Sequence, residues 1–356
     1  MNTSQFIDTT LQMSTASRLT IISRLTALWA LSESGLGGIM HALKIPFTGL
    51  IVGGISVIIV SLISYLSSNS RESILRSLII VLTIKLAISP HSSFTAYVAV
   101  SFQAVSAWFF FRYISDLRIA AYTTAIISML ESALQKIVIL TIFYGNALWD
   151  AINTFGDWAT TQAGMILPFS SSELLITAYL IIYMINGVFI GHFITVVFRD
   201  FNKMISEVSF KVSIPSKEAE TILLAANEKT TGLKYLRHGS LWIIAFVCLV
   251  LLWFKKDESQ LLMYFIIRVI LVFTLWYGVL GPIIKSRIKK LVRSGEHNVS
   301  SETDHALLLF PYLRQIVTMA WVGSKGNIFT KIPNFLKKLI FYAICFEIHD
   351  RKDHTA

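Results

Sequence analysis

Four ionisable residues lie inside long apolar segments of the sequence, where a charge is expensive. They are Glu33, Lys85, Glu131 and Lys136. Charged side chains in such segments usually face a cavity or pair with one another, which makes them candidates for a binding site. A second interpretation explains them equally well. In it, Glu33 or Glu131 pairs with Lys85 or Lys136 as an ion pair that only links two helices.

Two amide side chains accompany these charges. Gln135 lies one helical turn after Glu131 and shares its face, and Asn186 lies near the middle of another apolar segment. Together with Glu33, Lys85 and Lys136, they are compatible with one polar cavity that opens outward. A cavity of this kind would bind a small polar solute.

The segment from Gly37 to Gly49 predicts a tight turn between two helices. Pro46 disfavours helix at the preceding residue and can begin the next helix. His41 and Lys44 would then stand at the rim of the turn. They could contact an anionic ligand there, or simply meet water and lipid headgroups.

The sequence carries no arrangement of residues that predicts catalysis, a cofactor or a metal site. It lacks a phosphate-binding G-x-x-x-x-G-K-[ST] motif, H-E-x-x-H, G-x-S-x-G and C-x-x-C. The two cysteines, Cys248 and Cys345, are far apart in apolar surroundings and are expected to be structural. We therefore expect a protein that is not an enzyme, and any ATP-driven work must come from another subunit.

The elements that would hold these residues are membrane-spanning helices. Of the 356 residues, 54% are hydrophobic and only 15% are charged, well below the share typical of soluble domains. Runs of about 18 or more apolar residues are long enough to cross a bilayer. The sequence predicts an all-α, polytopic membrane protein with eight spans, at about 20–42, 46–66, 72–90, 93–111, 118–144, 173–198, 238–254 and 259–281.

The distribution of Lys and Arg predicts the orientation of these spans. The 28 residues from Gly145 to Ser172 contain neither, whereas Arg199 to Arg237 contains seven and the tail from Lys285 contains twelve. Basic residues concentrate on the cytoplasmic side, so both termini are predicted to be cytoplasmic in a plasma (inner) membrane. The net charge of +10 is thus explained by topology and lipid contact, without nucleic acid.

The predicted organisation has four parts. A six-helix transmembrane core, residues 1–200, is followed by a cytoplasmic linker, 201–237, a transmembrane hairpin, 238–282, and a basic cytoplasmic region, 283–356. In the last part, Ala306 to Val322 and Lys331 to Ile348 could form helices. The second of these either lies on an anionic leaflet or packs as a cytoplasmic helix on the C-terminal part of the chain, which consists of the hairpin and the basic region. The loop from Asn146 to Met165 could form a short surface helix or a lid.

Small residues recur at every fourth position of the first span, at Ala30, Ser34, Gly38 and Ala42. This spacing places them on one stripe of an α-helix, where another helix can approach closely. The stripe either packs within the chain or forms a docking face for a partner helix. Gly49 and Gly53 repeat the spacing in the second span.

On these features, residues 20–200 resemble the substrate-binding membrane subunits, or S components, of energy-coupling factor transporters. The resemblance rests on six helices with both ends inside, on the stripe of small residues and on the turn through His41, Pro46 and Gly49. It implies that a small solute is captured near the outer surface. It also implies that the stripe faces a coupling subunit, which works with partner ATPases.

Three functional hypotheses follow. The first is a transport subunit that captures a small polar or amphiphilic solute from outside and relies on partner subunits for energy. The second is a non-enzymatic scaffold whose basic C-terminal region recruits proteins or anionic lipid. The third is a membrane-embedded enzyme that acts on a lipid-linked substrate, and the lack of a clustered nucleophile and base speaks against it.

Overall fold

The described residues of the computed structural model are almost entirely helical. The structure describes residues 15–43, 47–67, 70–89, 94–164, 169–207, 210–212 and 296–348, together with 267, 270, 271, 283 and 286. The predicted hairpin at 238–254 and 259–281 therefore lies outside the described residues, apart from three isolated positions. Most of the predicted linker, 201–237, lies outside them as well.

Each of the six segments predicted as spans between residues 20 and 198 contains a helix. The first begins as α1 and continues through a π-helical turn into α2, and the other five are single helices. Their bounds are Thr15–Leu31 for α1, Ser32–Leu36 for the π-helical turn, Gly37–Ala42 for α2, Thr48–Leu66 for α3, Ser70–Ile88 for α4, Phe94–Tyr113 for α5, Leu117–Tyr144 for α6 and Ser171–Glu207 for α8.

Three of these helices are long and apolar enough to cross a membrane, by length and composition. They are α3, α6, and α8 from Ser171 to Phe201. At 1.5 Å per residue, the 19 residues of α3 reach about the thickness of a hydrocarbon core. This finding supports a membrane protein.

The chain forms two compact units. The first contains residues 1–132, 183–226 and 290–356, and the second contains 133–182 and 227–289. The core of the first unit is formed where α1, α3, α4 and α5 pack together. Their apolar side chains are fully buried, among them Leu25, Trp29, Leu62, Ile84 and Ala104.

In the second unit, the loop predicted between residues 146 and 165 contains helix α7, Asn146–Gln162. Gly145 precedes it with a φ of 67°, a backbone conformation that glycine adopts without strain. Asn153 accepts a hydrogen bond from the Ser172 amide at 2.8 Å, which ties α7 to the start of α8. A helix in this loop was one of the two predicted alternatives.

The C-terminal region of the first unit contains three helices and one strand. These are α9 (Glu296–Leu308), α10 (Phe310–Val322), α11 (Ile328–Cys345) and β2 (Phe346–Ile348). Strand β2 pairs in parallel with β1 (Phe210–Val212), with Phe346 opposite Phe210. Helices were predicted at Ala306–Val322 and Lys331–Ile348. The first is split at Leu309, and the second ends three residues early in a strand that the sequence did not predict.

These C-terminal helices pack on one end of the first unit. Arg76, in the first half of α4, forms an ion pair with Glu302 of α9, in which Arg76 Nε lies 2.9 Å from Glu302 Oε2. Arg24 of α1 donates a hydrogen bond to the Ile344 carbonyl at 2.6 Å, and Lys337 of α11 pairs with Asp200 of α8 at 2.5 Å. The basic region thus contacts the end of the bundle where the predicted cytoplasmic ends of α1, α4 and α8 meet.

Candidate functional site

The first buried polar group of the bundle is an ion pair between Glu33 and Lys85. Glu33 is 3% exposed and Lys85 is 1% exposed. The Lys85 ammonium donates to Glu33 Oε2, and the Ser56 hydroxyl donates to Glu33 Oε1. Both carboxylate oxygens therefore have partners, as a buried charge requires. We call Glu33, Lys85 and Ser56 the ion-pair cluster.

The backbone around Glu33 departs from an α-helix. The chain forms a π-helical turn from Ser32 to Leu36, and such a turn adds a residue that shifts the register of the side chains after it. The Ser34 carbonyl accepts a hydrogen bond from Ser89 Oγ at 2.7 Å. A Cβ at Gly38 would come within 2.3 Å of Ser89 Oγ, so the glycine allows the Ser89 side chain to approach.

A second polar group lies along the glycines of α3. A Cβ on Gly53 would come 3.2 Å from Gln103 Nε2 and 3.9 Å from Ser132 Oγ, and one on Gly49 would come 3.5 Å from the Tyr183 hydroxyl. Three helices thus bring polar side chains to the glycine face of a fourth. Within the same region, Asn186 Nδ2 is 3.4 Å from the Leu50 carbonyl oxygen and from the Met129 sulfur. We call this group the glycine-lined cluster; its members are Gly49, Gly53, Gln103, Ser132, Tyr183 and Asn186.

Part of the glycine-lined cluster has unused hydrogen-bonding capacity. Gln103 is 2% exposed, and its Oε1 has no hydrogen-bond partner among the described residues. Ser128 is not a member of the cluster but lies one turn before Ser132; it is fully buried, and its hydroxyl likewise has no partner in the described part of the chain. A buried polar atom without a partner costs about 1–3 kcal/mol and often marks a place where water or a ligand binds.

Unpartnered hydroxyls also occur elsewhere in the first unit, for example at Ser61 of α3. The convergence of several polar side chains on a face without side chains is what distinguishes the glycine-lined cluster. Its amide, hydroxyl and phenol groups can donate and accept hydrogen bonds, which suits recognition of a polar solute. Among the described residues there is no group of three or more potential metal ligands.

The structure separates the predicted site residues into different environments. Glu33 and Lys85 bind each other, which is the linking ion pair that was left open as an alternative. Asn186 belongs to the glycine-lined cluster, and Glu131 is half-buried next to Ser132 in sequence. The outward-facing polar cavity was expected to include Glu33 and Lys85, but both are engaged in their own ion pair.

The remaining predicted positions are less informative. Gln135 is half-buried and Lys136 is exposed, and both belong to the second compact unit. The side chain of His41 and the whole of Lys44 lie outside the described part of the chain.

Two of the four small residues of the stripe in the first span, Ala30 and Ser34, are buried within the chain. Ala30 is fully buried and Ser34 is 2% exposed, and Gly38 lies against Ser89. Neither Ala30 nor Ser34 has surface left for a partner helix, so the intramolecular alternative fits these two residues and the docking face does not. The π-helical turn also lies between Ala30 and Gly38, so small residues at every fourth position no longer fall on one α-helical stripe there. The Ala42 side chain lies outside the described residues.

Sequence reasoning missed Gln103, Ser132, Tyr183 and Ser56. A glutamine in the middle of an apolar span was a visible signal, because an uncharged amide in such a segment also needs a partner. The glycine spacing of Gly49 and Gly53 was noticed, but only as a packing feature. Serine and tyrosine are common in spanning helices, so Ser56, Ser132 and Tyr183 carried no distinct signal.

Comparison of the chain with family models, with curated proteins and with solved structures found no match.

Proposed function

We propose that this protein is the solute-binding subunit of a membrane transporter and that the glycine-lined cluster contacts the solute. In this proposal, residues 1–200 form a six-helix transmembrane core with both termini cytoplasmic. The chain captures a small polar or amphiphilic molecule from the outer side. Partner subunits, such as a coupling subunit and ATPases, supply the energy.

The observation that carries the proposal is the buried amide of Gln103. Its Oε1 has no hydrogen-bond partner among the described residues, and its Nε2 lies beside the glycine face of α3. A solute that donates a hydrogen bond to this oxygen would remove the cost of its burial. Selectivity would follow, because an analogue without the donor would leave the amide unsatisfied.

The position of the cluster along α3 also supports capture from the outer side. Gly49 lies in the first turn of α3, whereas Tyr65, near the end of the same helix, stacks on Phe198 at 4.6 Å. The basic C-terminal helices contact Asp200, which is two residues from Phe198. The glycine-lined cluster thus belongs to the half of α3 away from the basic region, and the basic region is predicted to be cytoplasmic.

Native mass spectrometry of the full chain, released from detergent after purification, tests the proposal. We expect a small molecule bound to the wild-type protein and largely lost from Gln103→Leu. Loss of one hydrogen bond to a solute weakens binding on the order of tenfold. The substitution keeps the approximate size of the side chain and removes an acceptor that has no partner among the described residues; the unfolding temperature of the variant in detergent shows whether the fold is retained.

Ser61→Ala is the matched control. Like Gln103→Leu, it removes a buried polar atom that has no partner among the described residues. Ser61 lies on α3 rather than α5, about 12 Å along the helix from Gly53. The bound molecule should survive this change. The proposal fails if the wild-type chain carries no small molecule, as a scaffold would, or if Gln103→Leu retains it as strongly as Ser61→Ala does.

A further inference from the structure

The turn between α10 and α11 exposes large apolar side chains. Met319, Trp321 and Val322 at the end of α10 are 40%, 47% and 75% exposed, and Ile332 at the start of α11 is 46% exposed. Large exposed apolar side chains grouped in one place usually mark an interaction surface. We refer to α10, α11 and the turn between them as the C-terminal hairpin, which is distinct from the predicted transmembrane hairpin at 238–282. We call these four residues and the three neighbouring lysines, Lys325, Lys331 and Lys338, the hairpin tip.

Among the side chains of α10 and α11 that the structure describes, the exposed large apolar ones belong to the tip. The inner face of α10 is buried at Leu313 and Ile316, and that of α11 at Leu339, Ala343 and Ile344. The amphipathic pattern of this segment predicts either contact with an anionic leaflet or packing on the C-terminal part of the chain. The structure divides the helix: its C-terminal half packs inside the first unit, whereas Ile332, Pro333 and Asn334 nearer its start are exposed.

The charge around the tip has one sign. Residues 310–345 contain five basic residues and no aspartate or glutamate. The Lys331 ammonium lies 4.2 Å from the centre of the Trp321 ring, and Lys338 donates to the Gly323 carbonyl. Lys337, by contrast, is engaged with Asp200. Lys331 of the tip thus lies over the exposed Trp321 indole. A tryptophan beside basic residues is typical of the headgroup layer of a membrane.

We propose that the hairpin tip inserts Trp321 and Val322 into the headgroup layer of a membrane that contains anionic phospholipid. The positive charge of Lys325 and Lys331 selects the anionic lipid. The contacts of Arg24, Arg76 and Asp200 with the C-terminal helices hold the hairpin at one end of the bundle. In the proposed topology this end lies at the cytoplasmic surface of the bilayer. This inference uses the proposed membrane topology and is independent of solute binding.

Site-specific fluorescence on the full chain tests the tip. Val322→Cys carries an environment-sensitive dye, in a background with Cys248→Ser and Cys345→Ser. The protein is reconstituted in nanodiscs of phosphatidylcholine alone or of equal parts phosphatidylcholine and phosphatidylglycerol. With phosphatidylglycerol, we expect a blue-shifted emission, quenching by spin-labelled lipid and protection from aqueous iodide. High salt should reverse all three because it screens the lysines.

Two further variants separate charge from folding. Lys325→Gln combined with Lys331→Gln should lower the preference for phosphatidylglycerol on the order of tenfold, since each basic residue adds to the attraction. Lys325→Arg combined with Lys331→Arg keeps the charge and should retain the preference. A dye at Asp304, an exposed residue of α9, should remain accessible to iodide in both lipids.

Two results would overturn the proposal. Iodide access at position 322 in both nanodisc compositions would show that the tip stays in water. The dye at position 322 could instead be protected from iodide in both nanodisc compositions and in detergent, whatever the salt concentration. That result would show that protein, and not lipid, covers the tip. Neither result depends on whether a solute binds at Gln103.

Discussion

The ion-pair cluster and the glycine-lined cluster both bury polar groups inside the first unit, yet they use them differently. In the ion-pair cluster, the carboxylate of Glu33 has partners on both oxygens, from Lys85 and Ser56. In the glycine-lined cluster, the side-chain oxygen Oε1 of Gln103 has no hydrogen-bond partner among the described residues. A satisfied buried charge links helices, whereas an unsatisfied amide beside glycines leaves capacity for a ligand. Charge alone therefore does not identify the binding site that we propose.

Removal of one partner of the ion pair should have the largest effect. Lys85→Met leaves the Glu33 carboxylate buried without its counter-charge, which typically costs about 3–5 kcal/mol. We expect a clearly lower temperature of unfolding in detergent. The double variant Glu33→Leu with Lys85→Met removes both charges and should recover most of the loss. If the single variant is as stable as the double one, the ion pair does not link the helices as described.

Loss of the hydroxyl donor should have an intermediate effect. Ser56→Ala removes the hydrogen bond to Glu33 Oε1 but leaves Lys85 in place. A hydrogen bond to a charged group contributes about 1.5–3 kcal/mol, so the free energy of unfolding should fall by less than in Lys85→Met. Binding of the solute at Gln103 should be unchanged. A loss of binding without a loss of stability would instead assign the ion-pair cluster to the solute site.

A methyl group on the glycine face should have the smallest effect on stability. Gly53→Ala places a Cβ 3.2 Å from Gln103 Nε2 and 3.4 Å from the terminal methyl of Met129, so both side chains must shift by a few tenths of an ångström. Alanine favours a helix over glycine by about 1 kcal/mol, which offsets this crowding. We expect near-wild-type unfolding but solute affinity lower by about tenfold, or roughly 1.4 kcal/mol.

Gly54→Ala is the matched control for this variant. It makes the same change on the same helix, but its Cβ meets the flexible end of Ile190 at 2.9 Å and no polar group of the cluster. Titration of both variants with the co-purifying molecule compares them directly. Equal affinities would show that the space beside Gly53 is not used by the solute.

Much of the helical order of the first 200 residues could be predicted from the sequence. The apolar runs that contain α3 and α6 are local properties, and their ends match the structure within a few residues. Nothing in the sequence predicted the π-helical turn at Ser32–Leu36. Its residues bind side chains of distant segments, Ser56 of α3 and Ser89 directly after α4. Strand β2 was also missed, since its partner Phe210 lies 136 residues away from Phe346 in the sequence.

The candidate site was predicted only in part, and Asn186 and Gln103 show why. Asn186 was recognised because it is a lone amide in an apolar span, and the structure brings it to Leu50 and Met129. Gln103 carried the same kind of signal, but its importance depends on the absence of a side chain at Gly53 on another helix. The spacing of residues along one helix does not determine which residues of another helix they meet.

The sequence by itself determined that the chain is helical and apolar enough for a membrane, and which of its residues would be costly to bury. These properties follow from the length and composition of each segment, which do not depend on the other segments. Only the tertiary structure decided that Glu33 pairs with Lys85, 52 residues away, and that Ala30 and Ser34 face inward. The physical reason is that rotation about each helix axis is set by packing against its neighbours, and that rotation selects the partner of every buried polar group.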